Sequence, residues 1–329
     1  MIKSIIKKIF IKVSRCLSYE IIDQNKFVSP TLNKKLNEEL SIINEKSIVL
    51  PLGEVKISRK ISSILIILRT NTNIELWDQN KKRLFEFPKI EYSLRSLNSL
   101  LKSVIFCQKK FQGVKFRIII VDDKSSNENF SKINQLINKS NLDVSITSLD
   151  YEKYRGVIKK QKSEETFSNL ASLLQCYEIA KKQTEDLVFF VEDDYLHFEP
   201  MLEEMIASYQ RISSQVNREI FMCPADYPYN YMNNEKTNIL IGNKRHWRTV
   251  SETLCTFMTS KKFIDKYWNN FYKTCLDRND PFEKHINEIY KNEICVSPLK
   301  TLAVHFTNIN SSYGLSPFID YKKLWNDNE

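Results

Sequence analysis

The sequence predicts an α/β fold, a mostly parallel sheet flanked by helices, with a short amphipathic helical extension at the N-terminus. Three observations carry that prediction. Short apolar runs at 61–68, 116–121 and 186–191 have the length and β-branched content of buried strands, and 144–149 reads as a further strand. Between them, Leu94, Leu97, Leu101 and Val104, then Leu170, Leu173, Leu174 and Tyr177, recur at helical spacing within 92–105 and 168–182. Strand and helix thus alternate, the order that puts helices on both faces of a parallel sheet.

The 329 residues suffice for one large domain with an extension. We divide the chain into a basic helix and linker at 1–60 and a large domain at 61–325, with halves at about 61–200 and 201–325. A hydrophobic content of 42% with 12% aromatics excludes a disordered chain. Lys and Arg number 49 against 40 Asp and Glu, a formal charge of +9 that suits a protein handling anions. The chain is also rich in Lys, Asn and Ile, and that bias alone gives the same excess. Nucleic acid is not an expected partner, because neither aromatic-rich strands nor Cys/His fingers are present.

Seven scattered cysteines without a C-x-x-C pair read as buried free thiols in a reducing cytoplasm, not as a zinc site or a disulfide framework. The apolar run 64–68 is far too short to cross a bilayer.

In the extension, Ile2, Ile5, Ile6, Ile9 and Val13 alternate with Lys3, Lys7, Lys8, Lys12 and Arg15 at helical spacing. Lysines interrupt the would-be core of a signal peptide, and no small-residue cleavage site follows. Two readings remain at this level. Residues 1–17 either lie in an anionic membrane surface, at its inner face, or dock as a surface helix on their own domain.

Chemistry concentrates where strands end. The run 116–121 leads into Asp122-Asp123-Lys124-Ser125-Ser126. Two carboxylates there can accept from ribose hydroxyls or a base N–H, although Asp and Ser after a strand also cap turns and helices. The run 187–191 leads into Glu192-Asp193-Asp194. Three consecutive acids repel one another unless a cation is present. Their hard oxygens favour Mg²⁺ or Mn²⁺, which commonly completes its shell with substrate phosphates. In open sheets, ligands bind beyond the carboxyl ends of the strands, where both clusters fall.

The stretch 64–73, then Tyr92-Ser93-Leu94-Arg95-Ser96-Leu97, then Val121-Asp122-Asp123-Lys124-Ser125-Ser126, resembles the opening of a family 2 glycosyltransferase with the GT-A fold. In that family an acidic D-x-D-type motif follows a later strand, the place held here by Glu192-Asp193-Asp194. The resemblance spans about residues 61 to 320 and is more specific in its first half. It implies that Thr70, Asp122 and Asp123 contact the nucleotide and that Asp194 is the principal metal ligand. It also implies that Glu192 holds the ribose or a metal-bound water. Because the motif reads E-D-D, it leaves open whether Asp193 serves the nucleotide or takes the metal itself. His305, at the end of the apolar run 302–304, is similar in position to a late histidine that several GT-A enzymes use as a metal ligand; a core histidine is the other reading.

For the acceptor side, Trp247 offers a face for stacking on a sugar, and Arg245 and Arg248 offer planar forks for a phosphate. All three also read as ordinary surface or core residues, ahead of a Thr-rich, strand-like segment at 249–257. Asp280-Pro281-Phe282-Glu283 opens a helix running through His285 and Ile289. In inverting members of the family a carboxylate near such a helix takes the acceptor proton, which points to Asp280 first and Glu283 next; Asp280 also reads as an N-cap. His197 and His285 receive no role.

The expectation is therefore a metal-dependent glycosyltransferase in cell-surface glycan synthesis. It would move a sugar from a UDP- or GDP-linked donor to a glycan or lipid-linked acceptor by single displacement. A nucleotidyltransferase ranks lower, since the loop 69–73 lacks the glycines that cradle a triphosphate. A non-enzymatic basic binding protein leaves Glu192-Asp193-Asp194 unexplained.

Overall fold

The computed structural model describes residues 2–19, 21, 41–49, 53–73, 85–232, 236–306 and 309–329, with the backbone alone at 2–4, 46–49 and 53–55. Helix α1 (Ile2–Cys16) is followed by an antiparallel hairpin of β1 (Lys46–Val49) and β2 (Gly53–Lys56). The single strand expected at 47–52 is thus half of a hairpin, and residues 50–52 lie outside the described residues. Next come β3 (Ser63–Thr70), α2 (Lys89–Lys110), β4 (Lys115–Asp122), α3 (Asn127–Ser140), β5 (Val144–Ser148), α4 (Tyr151–Arg155), α5 (Glu164–Gln183) and β6 (Leu187–Glu192). This first half has the strand–helix alternation that the periodicity predicts. Two helices begin earlier than their apolar faces do. Pro88 sits at the N-cap of α2, and the Ser163 hydroxyl accepts from the Thr166 N–H to cap α5.

The second half holds β7 (Tyr195–His197), α6 (Met201–Val216), β8 (Phe221–Met222), β9 (Ile239–Ile241), β10 (His246–Thr249), β11 (Phe257–Ser260), α7 (Lys261–Lys266) and α8 (Trp268–Leu276). It ends with α9 (Lys284–Asn287), β12 (Cys295–Leu299), β13 (Ala303–His305) and α10 (Tyr321–Asn326). The Thr-rich segment is not one strand. β8 and β12 stand between β10 and β11 in the sheet, so the chain from 250 to 256 must cross to reach its next place. The expected helix from Pro281 shrinks to α9 and a 3₁₀ turn at Ile289–Lys291.

One nine-stranded sheet, in the order β5-β4-β3-β6-β11-β8-β12-β10-β9, joins both halves. Pairings are parallel from β5 to β6 and at β8–β12, and antiparallel elsewhere. Following these pairings across the sheet, only β10 and β11 run against the common direction. Successive side chains alternate between two cores. Leu65, Ile67, Ile119, Val121, Val188 and Phe190 pack toward α5 and α8, while Ile64, Ile66, Ile118, Ile120, Phe189 and Val191 pack toward α2 and α6. Both faces being covered explains why the strands are unbroken apolar runs.

The boundary drawn at residue 60 falls inside the packed body. Ile57 and Ile61 are buried, and Arg59 bridges Asp186 at 2.5 Å and Glu219 at 3.1 Å. The cysteines are all unbridged, with Cys16 exposed and the other six buried. No described helix is long and apolar enough to cross a membrane.

Candidate active site

The carboxyl ends of β3, β4 and β6 lie side by side, with Thr70 paired to Asp122 and Arg69 to Glu192 in the strand register. That register gathers the predicted donor-side residues on one rim. The hydrogen bonds then sort them into two kinds.

The first kind braces the loops. Asp193 is buried and accepts from the Thr70 hydroxyl at 2.9 Å, the Asn71 N–H at 3.2 Å and the Ser93 hydroxyl at 2.6 Å. The Lys89 ammonium, 2.5 Å away, neutralises it. Asp123 is also buried and accepts from Asn71 at 2.6 Å and from the hydroxyls of Tyr151 and Ser168. Asp122 accepts from the Ser125 hydroxyl at 2.6 Å and its N–H at 3.1 Å. Burial raises the Asp122 pKa, against the pull of those two bonds. The carboxylates expected to touch the nucleotide are thus committed to protein donors, because the turns after β3, β4 and β6 need acceptors for their own polar groups. Thr70 is spent in the same way. Exposed Lys124 lies at this rim, its ammonium 3.6 Å over the Tyr151 ring.

The second kind faces across the rim. β7 and β13 pair so that Tyr195 opposes His305, which brings His305 Nε2 to 3.0 Å from Asp194 Oδ2. The His305 ring also stacks on Tyr195 at 4.7 Å. Burial alone would lower the His305 pKa; the Asp194 charge and hydrogen bond outweigh it and raise it. Among the described residues, no hydrogen-bond partner reaches the buried His305 Nδ1. Glu192 is held by Arg69, which also binds the Asn169 side chain, and it accepts from the Thr256 hydroxyl at 3.2 Å. Burial opposes the Arg69 charge, yet Glu192 raises its pKa.

Among the described residues no three His, Cys, Asp or Glu side chains converge as metal ligands. Asp194 and His305 supply two, with Asp193 withdrawn by Lys89. A carboxylate oxygen beside an imidazole Nε2 fits Mn²⁺ better than Mg²⁺, which prefers oxygen alone. A cation held here would draw its other ligands from water and phosphate.

On the acceptor side the structure separates the two carboxylates. Asp280 is exposed and caps no helix; the N-cap of α9 is Glu283. Glu283 is half-buried, with Cys255 Sγ 3.6 Å from its Oε1. Burial first, and then repulsion from Glu192, push its pKa up to about 7.

The three residues expected to bind acceptor are structural in their placement. Trp247 is 0% exposed, packed in the core beneath β10, so no sugar can reach its face. A Cβ on Gly242 would meet the Trp247 ring at 2.4 Å, so only glycine leaves room for that ring. Arg248 is buried and paired with Asp226. Arg245 donates to the Lys300 carbonyl at 2.6 Å and the Thr301 carbonyl at 3.2 Å.

Sequence reasoning missed the aromatics that do face solvent here. Tyr231 and Phe318 line a cleft of about 560 Å³ with Pro228, Ser316 and Asp320. Phe318 is 95% exposed, and Tyr231 donates to Asp226 at 2.5 Å beneath the Arg248 guanidinium. Phe318 directly follows Pro317, and Tyr231 lies three residues after Pro228; neither carries any other signal in the sequence. Arg69 and Lys89 were missed too, although a cation inside an apolar strand was visible.

No protein-family model matches the chain, and no curated protein matches its sequence. Among solved structures it is similar to the galactosyltransferase LgtC, at 11% identity over 70% of this chain and 72% of that one, with a TM-score of 0.35. It is similar to a UTP-bound UGPase from Acinetobacter baumannii, at 9% identity over 82% of this chain and 93% of that one, with a TM-score of 0.43. It is also similar to S. aureus TarS, at 14% identity over 62% of this chain, with a TM-score of 0.35; it spans 48% of that chain, about half its length.

Proposed function

We propose that the chain is a cation-dependent glycosyltransferase that moves a sugar from a UDP- or GDP-linked donor to an acceptor hydroxyl with inversion. The observation that carries this reading is the convergence on the end of β6. Asp194 pairs with His305 just beyond it, and Glu283, poised near neutrality, lies beside Cys255 and feels the charge of Glu192.

Asp194 and His305 would hold the divalent cation, whose charge would stabilise the departing diphosphate. Lys124 supplies a second positive charge at the same rim. Glu283 takes the proton as the acceptor oxygen bonds to the anomeric carbon and the bond from that carbon to the diphosphate oxygen breaks. A base with a pKa near working pH suits that transfer, which typically contributes roughly a hundredfold to ten-thousandfold. The Tyr231–Phe318 cleft would take the acceptor, with exposed rings for a sugar face. The loop 69–73 favours this over nucleotidyl transfer, since its side chains are tied to Asp123 and Asp193 instead of forming a glycine-rich cradle.

The test is a thermal-shift series with UDP, GDP and other nucleoside diphosphates, with and without Mn²⁺, on wild type and Asp194→Ala. A rise in Tm that needs nucleotide, cation and Asp194 together supports the donor site and identifies the base. No shift with any nucleotide overturns the reading.

A further inference from the structure

Helix α1 plays no part in the donor site, yet its surface is strongly one-sided. Placed at about 100° per residue, Ile5, Cys16, Ile9, Val13, Ile6, Leu17 and Phe10 fill a continuous apolar arc of about 140°. Lys3 and Lys12 border that arc, and Lys7, Lys8 and Arg15 lie on the opposite side. Residues 2–19 contain five basic side chains and no acidic one.

The arc is turned to solvent. Ile5, Ile6, Ile9, Phe10, Val13 and Leu17 are 53–65% exposed, whereas half-buried Ile11 and Ser14 lie on the opposite side. The helix is therefore not docked on its own domain through its apolar face, as one reading of the sequence had it. With 15 residues it is about 22 Å long, too short and too charged to span a bilayer but suited to lying flat in one.

We infer that α1 is an in-plane anchor for an anionic lipid surface, its apolar arc in the acyl boundary and its lysines at the headgroups. Charge decides the occupant. A protein groove would cover the apolar arc alone, whereas lysines bordering both edges of that arc meet anions all along the helix only at an anionic interface. Lys12 reaches that interface by extending its stem along the apolar edge. The inference stands apart from the proposed transfer reaction and can fail separately from it.

The test is co-sedimentation of the full chain with phosphatidylcholine vesicles and with vesicles containing phosphatidylglycerol. Binding should need the anionic lipid and should weaken as salt is raised, a readout requiring no variant. Phe10→Asp should abolish it, and Lys8→Glu with Lys12→Glu should weaken it by about 25-fold or more, at about fivefold for each base. Unchanged Tm would show that the variants fold. Equal binding to both vesicles, or no binding to either, overturns the inference. So does a dimer in sedimentation analysis that Phe10→Asp dissolves without any vesicle binding, since a second copy would then cover the face.

Discussion

Asp194 Oδ2 and His305 Nε2 are 3.0 Å apart, joined by the register of β7 with β13 across 111 positions of sequence. The carboxylate raises the imidazole pKa against the effect of burial, so the pair favours a protonated histidine in the absence of a cation.

A cation can bind His305 only after that proton leaves. The gain in Tm from Mn²⁺ with nucleotide should therefore grow as pH rises through the neutral range. For the protein alone the sign is opposite: a raised histidine pKa stabilises the fold below its unfolded value, and that contribution is lost as pH rises through the folded value. His305→Ala should remove the pH dependence of the cation effect, measured by thermal shift at several pH values.

Glu283→Gln should reduce kcat by roughly 10²- to 10⁴-fold while leaving nucleotide binding intact. In wild type, kcat/KM should fall below about pH 7, where the carboxyl becomes protonated. Glu192→Gln removes a repulsion that raises that pKa, so the acidic limb should move to lower pH. Asp280→Ala, at an exposed position, should leave the profile unchanged. These pH–rate profiles separate the two carboxylates.

Glu283 also affects stability. Its raised pKa means the folded state holds a proton that the unfolded chain releases at lower pH. Its contribution to stability should be greatest below the ordinary glutamate range and be lost as pH rises toward 7, a change of about 3 kcal/mol. Glu283→Gln should flatten that fall in urea titrations.

Arg69→Met should destabilise the fold by about 2–4 kcal/mol, because it leaves Glu192 without its counter-charge in a largely enclosed position. The double change Arg69→Met with Glu192→Gln should recover part of that loss, as a double-mutant cycle in urea would show.

Gly242→Ala should cost about 2 kcal/mol or more, since the added methyl would overlap Trp247 and Ser208. Chemical denaturation checks it. A smaller residue at Trp247 would relieve the clash but open a cavity of its own.

The sheet and the order of its first half were legible because its central strands, β3, β6 and most of β4, are buried on both faces, so their hydrophobicity survives without context. The run into Asp122 and Asp123 shows this. The fate of the acids was not legible. Asp193 is neutralised by Lys89, 104 residues upstream, and nothing local distinguishes it from Asp194. Trp247 failed for a related reason. Its neighbours Arg245, His246 and Arg248 suggested a wet surface, but Arg248 turns inward to Asp226, and the space for the indole is made by a glycine five residues earlier. In 281–289 the helical pattern outran the helix, and Glu283 became the cap rather than a member of it.

The closing of Asp194 by β13 has a consequence for biosynthesis. The turns after β3, β4 and β6 are encoded within the first 194 residues, but the histidine that pairs with Asp194 arrives only with residue 305. A ribosome-bound chain, or a fragment ending in the acceptor half, would carry the acidic turn without its imidazole. Competence for cation binding would then appear late and abruptly, as the last strand of the fold is delivered.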